Sequence, residues 1–162
     1  MMKYLDKYFE KNPQFFSHRG LDNIDSINQF LSPPKKWLNN PFQFYDMDKA
    51  VNEIINYPKN RPILIHGDCD ADGVSACAVL TTYLSKIGYN IESYIPNRTI
   101  EGHIISKKAI DFAHSIGCSL IITCDIGMSG KLEVEYGKSK SIKFIITDHH
   151  KINNDTPNAY AI

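Results

Sequence analysis

From Arg61 onward, short apolar runs alternate with stretches that carry apolar residues at helical spacing. The apolar runs are RPILIHG, NIESYIP, CSLIITCD and IKFIITD. Such alternation is typical of βαβ units, in which a helix returns the chain so that the next strand lies parallel to the last. The sequence therefore predicts an α/β fold with an open parallel sheet and helices on both of its faces.

Capping residues place the boundaries of the predicted helices. The string DMDKAVNEIINY has apolar residues at helical spacing, with Asp46 or Asp48 available as the N-cap and Pro58 closing the helix. Gly88 and Gly117 lie where helix C-caps are expected, each shortly before a strand. These signals support separate helices between the predicted strands.

The length of 162 residues suits one compact domain and leaves little room for a second. Residues 1–41 are interrupted by prolines and predict a lead-in of short helices and turns, whereas residues 42–162 form the predicted domain. The last residues, NDTPNAYAI, are typical of the approach to another strand. We therefore expect the domain to be truncated at its carboxyl end, as in a fragment.

Charge and cysteine content narrow the class of protein. Eighteen Lys and Arg balance eighteen Asp and Glu, so no overall field draws the chain to nucleic acid or to an anionic membrane. The four cysteines show no C-x-x-C spacing, which suits a reducing compartment. No apolar stretch approaches the length of a signal peptide core or a membrane span. We expect a cytoplasmic protein without membrane contact.

The segment HGDCDADG lies between the first predicted strand of this alternation and a helix. In extended or turning backbone alternate residues face the same way, so four side chains can converge on one side of the loop. They are His66, Asp68, Asp70 and Asp72. Carboxylates this close repel one another by several kcal/mol at an effective dielectric constant of about 20, and a cation removes that repulsion. The segment therefore predicts a metal site.

Two other interpretations of HGDCDADG compete with a catalytic metal site: an EF-hand calcium loop and a solvated acidic turn. Asp68, Asp70 and Asp72 match the first, third and fifth positions of the calcium loop. Its twelfth position, however, would be Val79 instead of a bidentate Glu, and a strand precedes it where a helix is required. The histidine and two further motifs weigh against the acidic turn.

Those two motifs close later strands. Asp125 ends CSLIITCD, and Asp148, His149 and His150 follow IKFIIT. Taken singly, such an Asp is commonly a helix cap, and a histidine pair is commonly a surface or core feature. In an open parallel sheet, however, ligands bind outside the carboxyl ends of the strands, where all three motifs lie. Together they predict one site.

The donor types indicate which ion the site would take. Aspartate oxygens with histidine nitrogens favour manganese, with magnesium as an alternative and structural zinc less suited. Cys69 and Cys124 lie within the motifs and keep zinc or iron as a minor alternative, although we expect both to point into the core. Two ions bridged by one carboxylate would suit hydrolysis of a phosphate ester. Asp125, alone on its strand, is the candidate bridge.

A fourth segment, from Tyr94 to His103, also follows a strand. Arg98 offers paired donors for a phosphate oxygen, and Asn97 or His103 could assist it. An ordinary charged loop is the competing interpretation. The residues by themselves leave both open.

The segments HGDCDADG, IPNRTIEGH, ITCDIGMS and ITDHH together resemble the first motifs of the DHH phosphoesterase superfamily, and most of all those of RecJ-type, single-strand-specific 5′ exonucleases. The resemblance covers nearly the whole chain, because HRGLDNIDSINQFLSPP and NPFQFYDMDKAVNEI are similar to the stretch before the first motif in RecJ-like proteins. It implies a Rossmann-like DHH domain and a site for two ions, Mn²⁺ or Mg²⁺.

Carried over by position, the resemblance implies a role for each motif residue. Five would be metal ligands: His66, Asp70, Asp72, Asp125 and His149. Three more would lie behind the ligands or face the substrate: Asp68, Asp148 and His150. Of these, His150 would touch the scissile phosphate. Three would bind substrate phosphate: Arg98, Asn97 and His103.

The chain departs from the family pattern in two ways. Cys69 stands where the family often has an aromatic residue, and Cys124-Asp125-Ile126 replaces a more usual Val-Asp-Cys order, although neither change removes a ligand. The family also continues with a segment that supplies another metal-binding Asp. Asp155 lies too soon after the DHH motif to replace it.

Three functional hypotheses follow from the resemblance. In the first, the chain is the amino-terminal, incomplete part of a RecJ-like 5′-to-3′ exonuclease acting on single-stranded DNA, and a carboxyl-terminal domain or a partner chain completes the site. In the second, it is a non-catalytic binding or assembly module. In the third, it is a DHH phosphodiesterase acting on oligonucleotides or dinucleotides.

Overall fold

A computed structural model of the protein describes residues 11–33, 38–151 and 156–162. The chain forms two compact units, residues 1–43 and 44–162. Part of the predicted lead-in and Asp155 lie outside the described residues.

The first unit contains short helical pieces. They are α1 (Pro13–Ser17), α2 (Ile24–Leu31) and a 3₁₀ turn (Pro41–Gln43). A capping box begins α2, because Asn23 Oδ1 accepts the Ser26 N–H at 2.8 Å and Ser26 Oγ accepts the Asn23 N–H at 3.3 Å. Such a box satisfies two backbone donors that a helix start leaves unpaired. The described part of the lead-in thus consists of short helices and turns.

The second unit alternates helices and strands. Its elements are α3 (Met47–Asn56), β1 (Pro62–Gly67), α4 (Ala71–Lys86), β2 (Asn90–Tyr94), α5 (Arg98–Glu101), α6 (Lys107–Ser115), β3 (Leu120–Cys124), α7 (Lys131–Ser139) and β4 (Lys143–Thr147). Helix α3 follows Asp46 and ends before Pro58, as the capping residues predict. Gly88 and Gly117 adopt positive φ angles of 94° and 74° just after helices, which glycine does without strain.

The four strands form one parallel sheet in the order β2-β1-β3-β4. This arrangement confirms the predicted α/β fold with a parallel sheet. Beside β4, Ala161 forms an isolated parallel bridge to Ile145, in agreement with the expected approach to another strand. Among the described residues, no helix has both the length and the apolar character needed to cross a membrane.

The core consists of two layers because successive strand residues point to opposite faces of the sheet. Leu64, Ile121 and Phe144 face the layer that α6 and α7 cover. Their strand neighbours face the layer that α3 and α4 cover: Ile63, Ile65, Leu120, Ile122 and Ile145. Burial on both faces explains why β1, β3 and β4 are almost continuously apolar, whereas the edge strand β2 is largely exposed and carries polar residues. Polar side chains of β1, β3 and β4 therefore lie mainly at the strand ends.

Candidate metal centre

Strand register brings three of the predicted acidic residues to one edge. Gly67 of β1 lies opposite Cys124 of β3, and Cys124 lies opposite Thr147 of β4. The next residue of each strand is therefore an aspartate at the same level: Asp68, Asp125 and Asp148. The three motifs thus meet at the carboxyl edge of the sheet, as predicted from the parallel topology.

The turn between β1 and α4 is held by its own carboxylate. Asp70 is the N-cap of α4, and its Oδ1 accepts the N–H groups of Asp72 and Gly73 at 3.1 Å each. The backbone of Asp68 comes so near Gly73 that a Cβ atom there would lie 2.5 Å from the Asp68 nitrogen. Glycine at this position therefore permits the tight turn that leaves Asp70 and Asp72 exposed near the strand ends.

Asp125 is the most unusual side chain of the site. Its φ angle of 61° is left-handed, a region that Asp and Asn adopt more readily than most residues. Its Oδ1 is buried and makes no hydrogen bond with the described residues, although His149 Nε2 lies 2.9 Å and His150 Nδ1 3.9 Å away. A buried carboxylate oxygen costs free energy unless it is paired. A cation between this oxygen and the imidazoles would satisfy it.

The charges around Asp125 also favour a cation. Burial raises the pKa of Asp125, the negative charges of Asp70 and Asp72 raise it further, and His149 and His150 oppose them. Ligand atoms of Asp125, His149 and His150 all lie within 4.8 Å of one another. This mixed set of carboxylate oxygen and imidazole nitrogen suits a borderline-hard divalent ion. The residues present therefore fit a metal.

A cleft of about 580 Å³ opens beside this group. Asp72, Asp125 and His149 line its polar end. Its other walls are mainly apolar, and include Phe44, Met47, Ala50, Ile145, Ala161 and Ile162. Asp72, from the first motif, thus lines the same cleft as residues of the second and third motifs.

Asp148 positions His150. Its Oδ1 accepts hydrogen bonds from the backbone N–H of His150 at 3.0 Å and from Nδ1 of the same residue at 2.7 Å, while its Oδ2 accepts the Met128 N–H at 2.9 Å. The bond to Asp148 raises the pKa of His150. Burial acts to raise the pKa of Asp148 itself, but these hydrogen bonds outweigh burial and lower it. Asp148 thus lies behind His150, with both of its oxygens occupied.

Asp68 belongs to a second group of polar side chains. It is buried, its Oδ1 accepts the Cys69 N–H at 2.6 Å, and its Oδ2 lies 3.3 Å from His103 Nδ1. Burial acts to raise the pKa of Asp68, but these hydrogen bonds prevail and lower it. Cys69 is only partly buried, so the expectation that it points into the core is wrong, whereas Cys124 is buried as expected. The second group faces solvent through Cys69 and His103.

His66 is not brought into either group. It is fully buried at the end of β1, where Nδ1 lies 3.1 Å from the Gly67 carbonyl and Nε2 accepts the Ser106 N–H at 2.9 Å. Burial lowers the pKa of His66 to about 4. Both ring nitrogens are therefore engaged, and the neutral imidazole supports the sheet edge from behind. The structure therefore places His66 apart from the Asp125 group, and its predicted role as a metal ligand stays a prediction.

The segment after β2 owes its form to Glu101, which sequence reasoning missed. Its carboxylate accepts the Asn97 N–H at 2.9 Å, the Tyr94 hydroxyl at 2.8 Å and the Ser106 hydroxyl. Burial acts to raise the pKa of Glu101, but these bonds outweigh it and lower the pKa. The spacing Asn97-x-x-x-Glu101 before a helix with Ser106 as its N-cap was the available signal.

Arg98 and Asn97 take different positions in this segment. Asn97 Oδ1 caps α5 by accepting the Thr99 N–H at 3.1 Å. The Arg98 side chain is exposed, and its charge acts on the neighbouring Cys69. The predicted phosphate-binding roles of Arg98, Asn97 and His103 stay predictions.

These features define an α/β protein with a candidate metal centre at the carboxyl edge of its sheet. The chain belongs to the DHH family, because residues 62–162 match the model of that family's N-terminal domain. It is 34% identical over 145 residues to the single-stranded-DNA-specific exonuclease RecJ of Bacillus subtilis (strain 168), a match that covers 89% of this chain. The predicted family is therefore confirmed. The chain spans 18% of the length of that relative.

Two solved structures are similar to the chain. A crystal structure of exonuclease RecJ bound to manganese has a TM-score of 0.63 and 25% identity, over 71% of this chain and 30% of the other. A crystal structure of RecJ in complex with Mn²⁺ from Thermus thermophilus has a TM-score of 0.68 and 22% identity, over 90% of this chain and 20% of the other. The second similarity, at this low identity, supports the shared fold.

Proposed function

We propose that this chain forms the amino-terminal part of a manganese-dependent phosphodiesterase site, which in the complete protein removes nucleotides from the 5′ end of single-stranded DNA. The observation that supports the metal most directly is the buried Oδ1 of Asp125, which accepts no hydrogen bond from the described residues and lies 2.9 Å from His149 Nε2. The similarity to RecJ exonucleases supports the substrate class. Manganese is the ion named for both similar structures.

Asp125, His149, Asp72 and Asp70 would hold the metal. Asp125 is buried and lines the cleft together with Asp72 and His149, so its carboxylate would be the candidate to bind both ions. Asp70 and Asp72 approach from the start of α4, and each keeps a side-chain oxygen that caps no backbone group in the structure. When bound, two divalent cations activate water as a nucleophile and neutralise the charge of a phosphate diester.

His150 would hold a proton at the scissile phosphate. Its hydrogen bond with Asp148 raises its pKa, which keeps the imidazole protonated closer to neutral pH. A protonated imidazole can donate a hydrogen bond to a phosphate oxygen or a proton to the leaving oxygen. Asp148 would act as the positioning residue for this donor, since both of its oxygens are occupied.

Arg98 would contact a phosphate further along the strand. Its side chain is exposed on the segment that Glu101 anchors. An arginine can bind two phosphate oxygens at once, which orients as well as attracts the substrate. The chain's balanced charge makes such local contacts more important than any general basic surface.

We further propose that additional ligands and a strand-binding surface come from a part of the protein beyond this chain or from a partner chain. The similar proteins are several times longer, since the chain covers 18% of the Bacillus subtilis relative. A complementary domain would then supply the remaining ligands and cover the cleft.

The first test measures Mn²⁺ binding by calorimetry. Asp125→Asn removes the negative charge but keeps a residue that accepts the left-handed backbone conformation. We expect Mn²⁺ affinity to fall by more than about 100-fold, because even loss of a residue behind a ligand commonly costs 10–100-fold. Glu92→Gln, at an exposed carboxylate in β2, is the matched control and should leave affinity unchanged. Equal affinity in Asp125→Asn would refute the metal site.

The second test measures nucleotide release from 5′-phosphorylated single-stranded DNA with Mn²⁺. The chain is assayed alone and joined to the carboxyl-terminal part of a RecJ relative. We expect the joined protein to release nucleotides from the 5′ end and Asp125→Asn to abolish the release. Cleavage of dinucleotides but not of longer strands would support the oligonucleotide phosphodiesterase instead. Binding of DNA without any cleavage would support the non-catalytic module.

A further inference from the structure

A second set of metal-ligating side chains lies at the sheet edge, distinct from the group around Asp125. Ligand atoms of Asp68, Cys69 and His103 all lie within 4.8 Å of one another. Asp68 and Cys69 belong to the turn after β1, whereas His103 follows α5. The set shares no residue with Asp125, His149 and His150.

The distance between two of these atoms matches the distance between two ligand atoms of a tetrahedral zinc ion. Asp68 Oδ2 and His103 Nδ1 are 3.3 Å apart. Two ligands that each lie about 2.0–2.1 Å from a tetrahedral zinc ion are about 3.3 Å from one another. An ion could therefore enter between them with little movement of either side chain. The thiol of Cys69 is the third ligand within reach.

The chemistry of the three donors separates this set from the Asp125 group. Thiolate sulfur selects softer ions such as zinc, and is a poor ligand for manganese or magnesium. One thiolate, one imidazole and one carboxylate give three protein ligands, which leaves a fourth position open. We propose that Asp68, Cys69 and His103 bind a zinc ion.

Neighbouring residues hold these ligands in place. The Cys69 N–H fixes Oδ1 of Asp68, and the backbone of Asp68 is packed against Gly73. Gly102, with a φ angle of 78°, turns the chain just before His103, and Glu101 anchors the same segment. Ligands held in this way lose little conformational entropy when an ion binds.

The proposal does not rest on phosphodiester hydrolysis, and it is tested without DNA. Cobalt(II) replaces zinc as the probe, because a cobalt–thiolate bond produces a charge-transfer band in the near ultraviolet. Titration of the full chain should produce this band with saturation at one equivalent, and stoichiometric zinc should abolish it. A chain without the band overturns the proposal.

Variants identify the ligands. Cys69→Ser should remove the band, and His103→Gln should weaken cobalt binding by at least about tenfold. Cys118→Ser, at a buried thiol away from the set, is the matched control and should retain the band. Far-ultraviolet circular dichroism verifies that each variant is folded. A band that persists in Cys69→Ser, or that is lost in Cys118→Ser while the fold is intact, refutes the assignment.

Asp125→Asn distinguishes this proposal from the proposed function. The variant should lose Mn²⁺ binding but keep the cobalt–thiolate band at full intensity. Loss of the band in folded Asp125→Asn would show that no separate zinc site exists. Retention of the band together with unchanged Mn²⁺ affinity would refute the phosphodiesterase site and leave the zinc site standing.

Discussion

At the scale of single residues, the structure separates side chains that the sequence pattern grouped together. Alternate residues of HGDCDADG can share one face only while the backbone is extended. Strand β1 ends at Gly67, so His66 still alternates within the strand and is buried, whereas Asp70 already caps α4. The residue types therefore predicted a site, but only the point where strand becomes helix decides which side chains face it.

The buried His66 leads to a prediction about pH. Its pKa is about 4 in the folded protein and 6.5 as the ordinary value. Between these values the unfolded chain binds a proton that the folded chain does not, so stability falls as pH falls from 6.5 toward 4. The loss approaches roughly 3 kcal/mol, since each pKa unit is worth about 1.4 kcal/mol. Urea unfolding of the metal-free chain at a series of pH values measures it.

His66→Gln should flatten this pH dependence, because glutamine does not titrate and can accept the Ser106 N–H. His114→Gln, at an exposed residue of α6, is the control and should keep it. An unchanged slope in His66→Gln would contradict the prediction.

At the scale of elements, helix caps and close backbone packing position the helices at the site. The α3 boundaries, the four strands and the positive φ of Gly88 and Gly117 were predictable, because periodicity and caps are local signals. The anchoring of α5 by Glu101 was not predictable, because it depends on where Tyr94 and Ser106 meet in space.

Asp70 combines a structural role with a charge at the site, and two substitutions separate them. Asn is as good an N-cap as Asp, so Asp70→Asn should leave the free energy of unfolding nearly unchanged. Asp70→Ala should lower it by about 1 kcal/mol, because the N–H groups of Asp72 and Gly73 lose their acceptor. Both variants should weaken Mn²⁺ binding. Unfolding in urea and calorimetry measure the two effects, and tight Mn²⁺ binding by Asp70→Asn would exclude Asp70 as a ligand.

Gly73→Ala should destabilise the protein although alanine is the better helix former. The higher helix propensity of alanine would by itself stabilise the protein by about 1 kcal/mol. The new Cβ would lie 2.5–2.7 Å from three backbone atoms of Asp68, and backbone cannot yield as a flexible side chain can. We expect a net loss of about 1–3 kcal/mol and weaker Mn²⁺ binding as the turn widens. Ser75→Ala, exposed on the same helix, is the control, and a more stable Gly73→Ala would contradict the close approach.

At the scale of the whole molecule, topology explains why three separated motifs form one site. Parallel strands end at a common edge, so the register of β1, β3 and β4 aligns Asp68, Asp125 and Asp148. That convergence followed from the predicted sheet alone. The division of the side chains into two ligand groups could not be predicted from the sheet. It depends on His103 lying close to Cys69, and no local pattern encodes a contact between residues 34 positions apart.

Balanced charge leads to a prediction about DNA binding. With equal numbers of basic and acidic residues, the chain should attract phosphate only at its site, through metal and a few side chains such as Arg98. Each neutralised phosphate contributes about −0.7 to the slope of log affinity against log salt for a single strand. Two or three contacts therefore give a slope between about −1.4 and about −2.1, and chelation of Mn²⁺ should remove most of the binding. Fluorescence anisotropy with 5′-phosphorylated single-stranded DNA at several salt concentrations measures both effects.

Two variants test the contribution of Arg98. Arg98→Gln should reduce the magnitude of the slope by about 0.7, which is the contribution of one phosphate contact. Lys86→Gln, at the far end of α4, should leave the slope unchanged. A steep slope that survives chelation would instead indicate a general basic surface and contradict recognition of DNA through the metal centre.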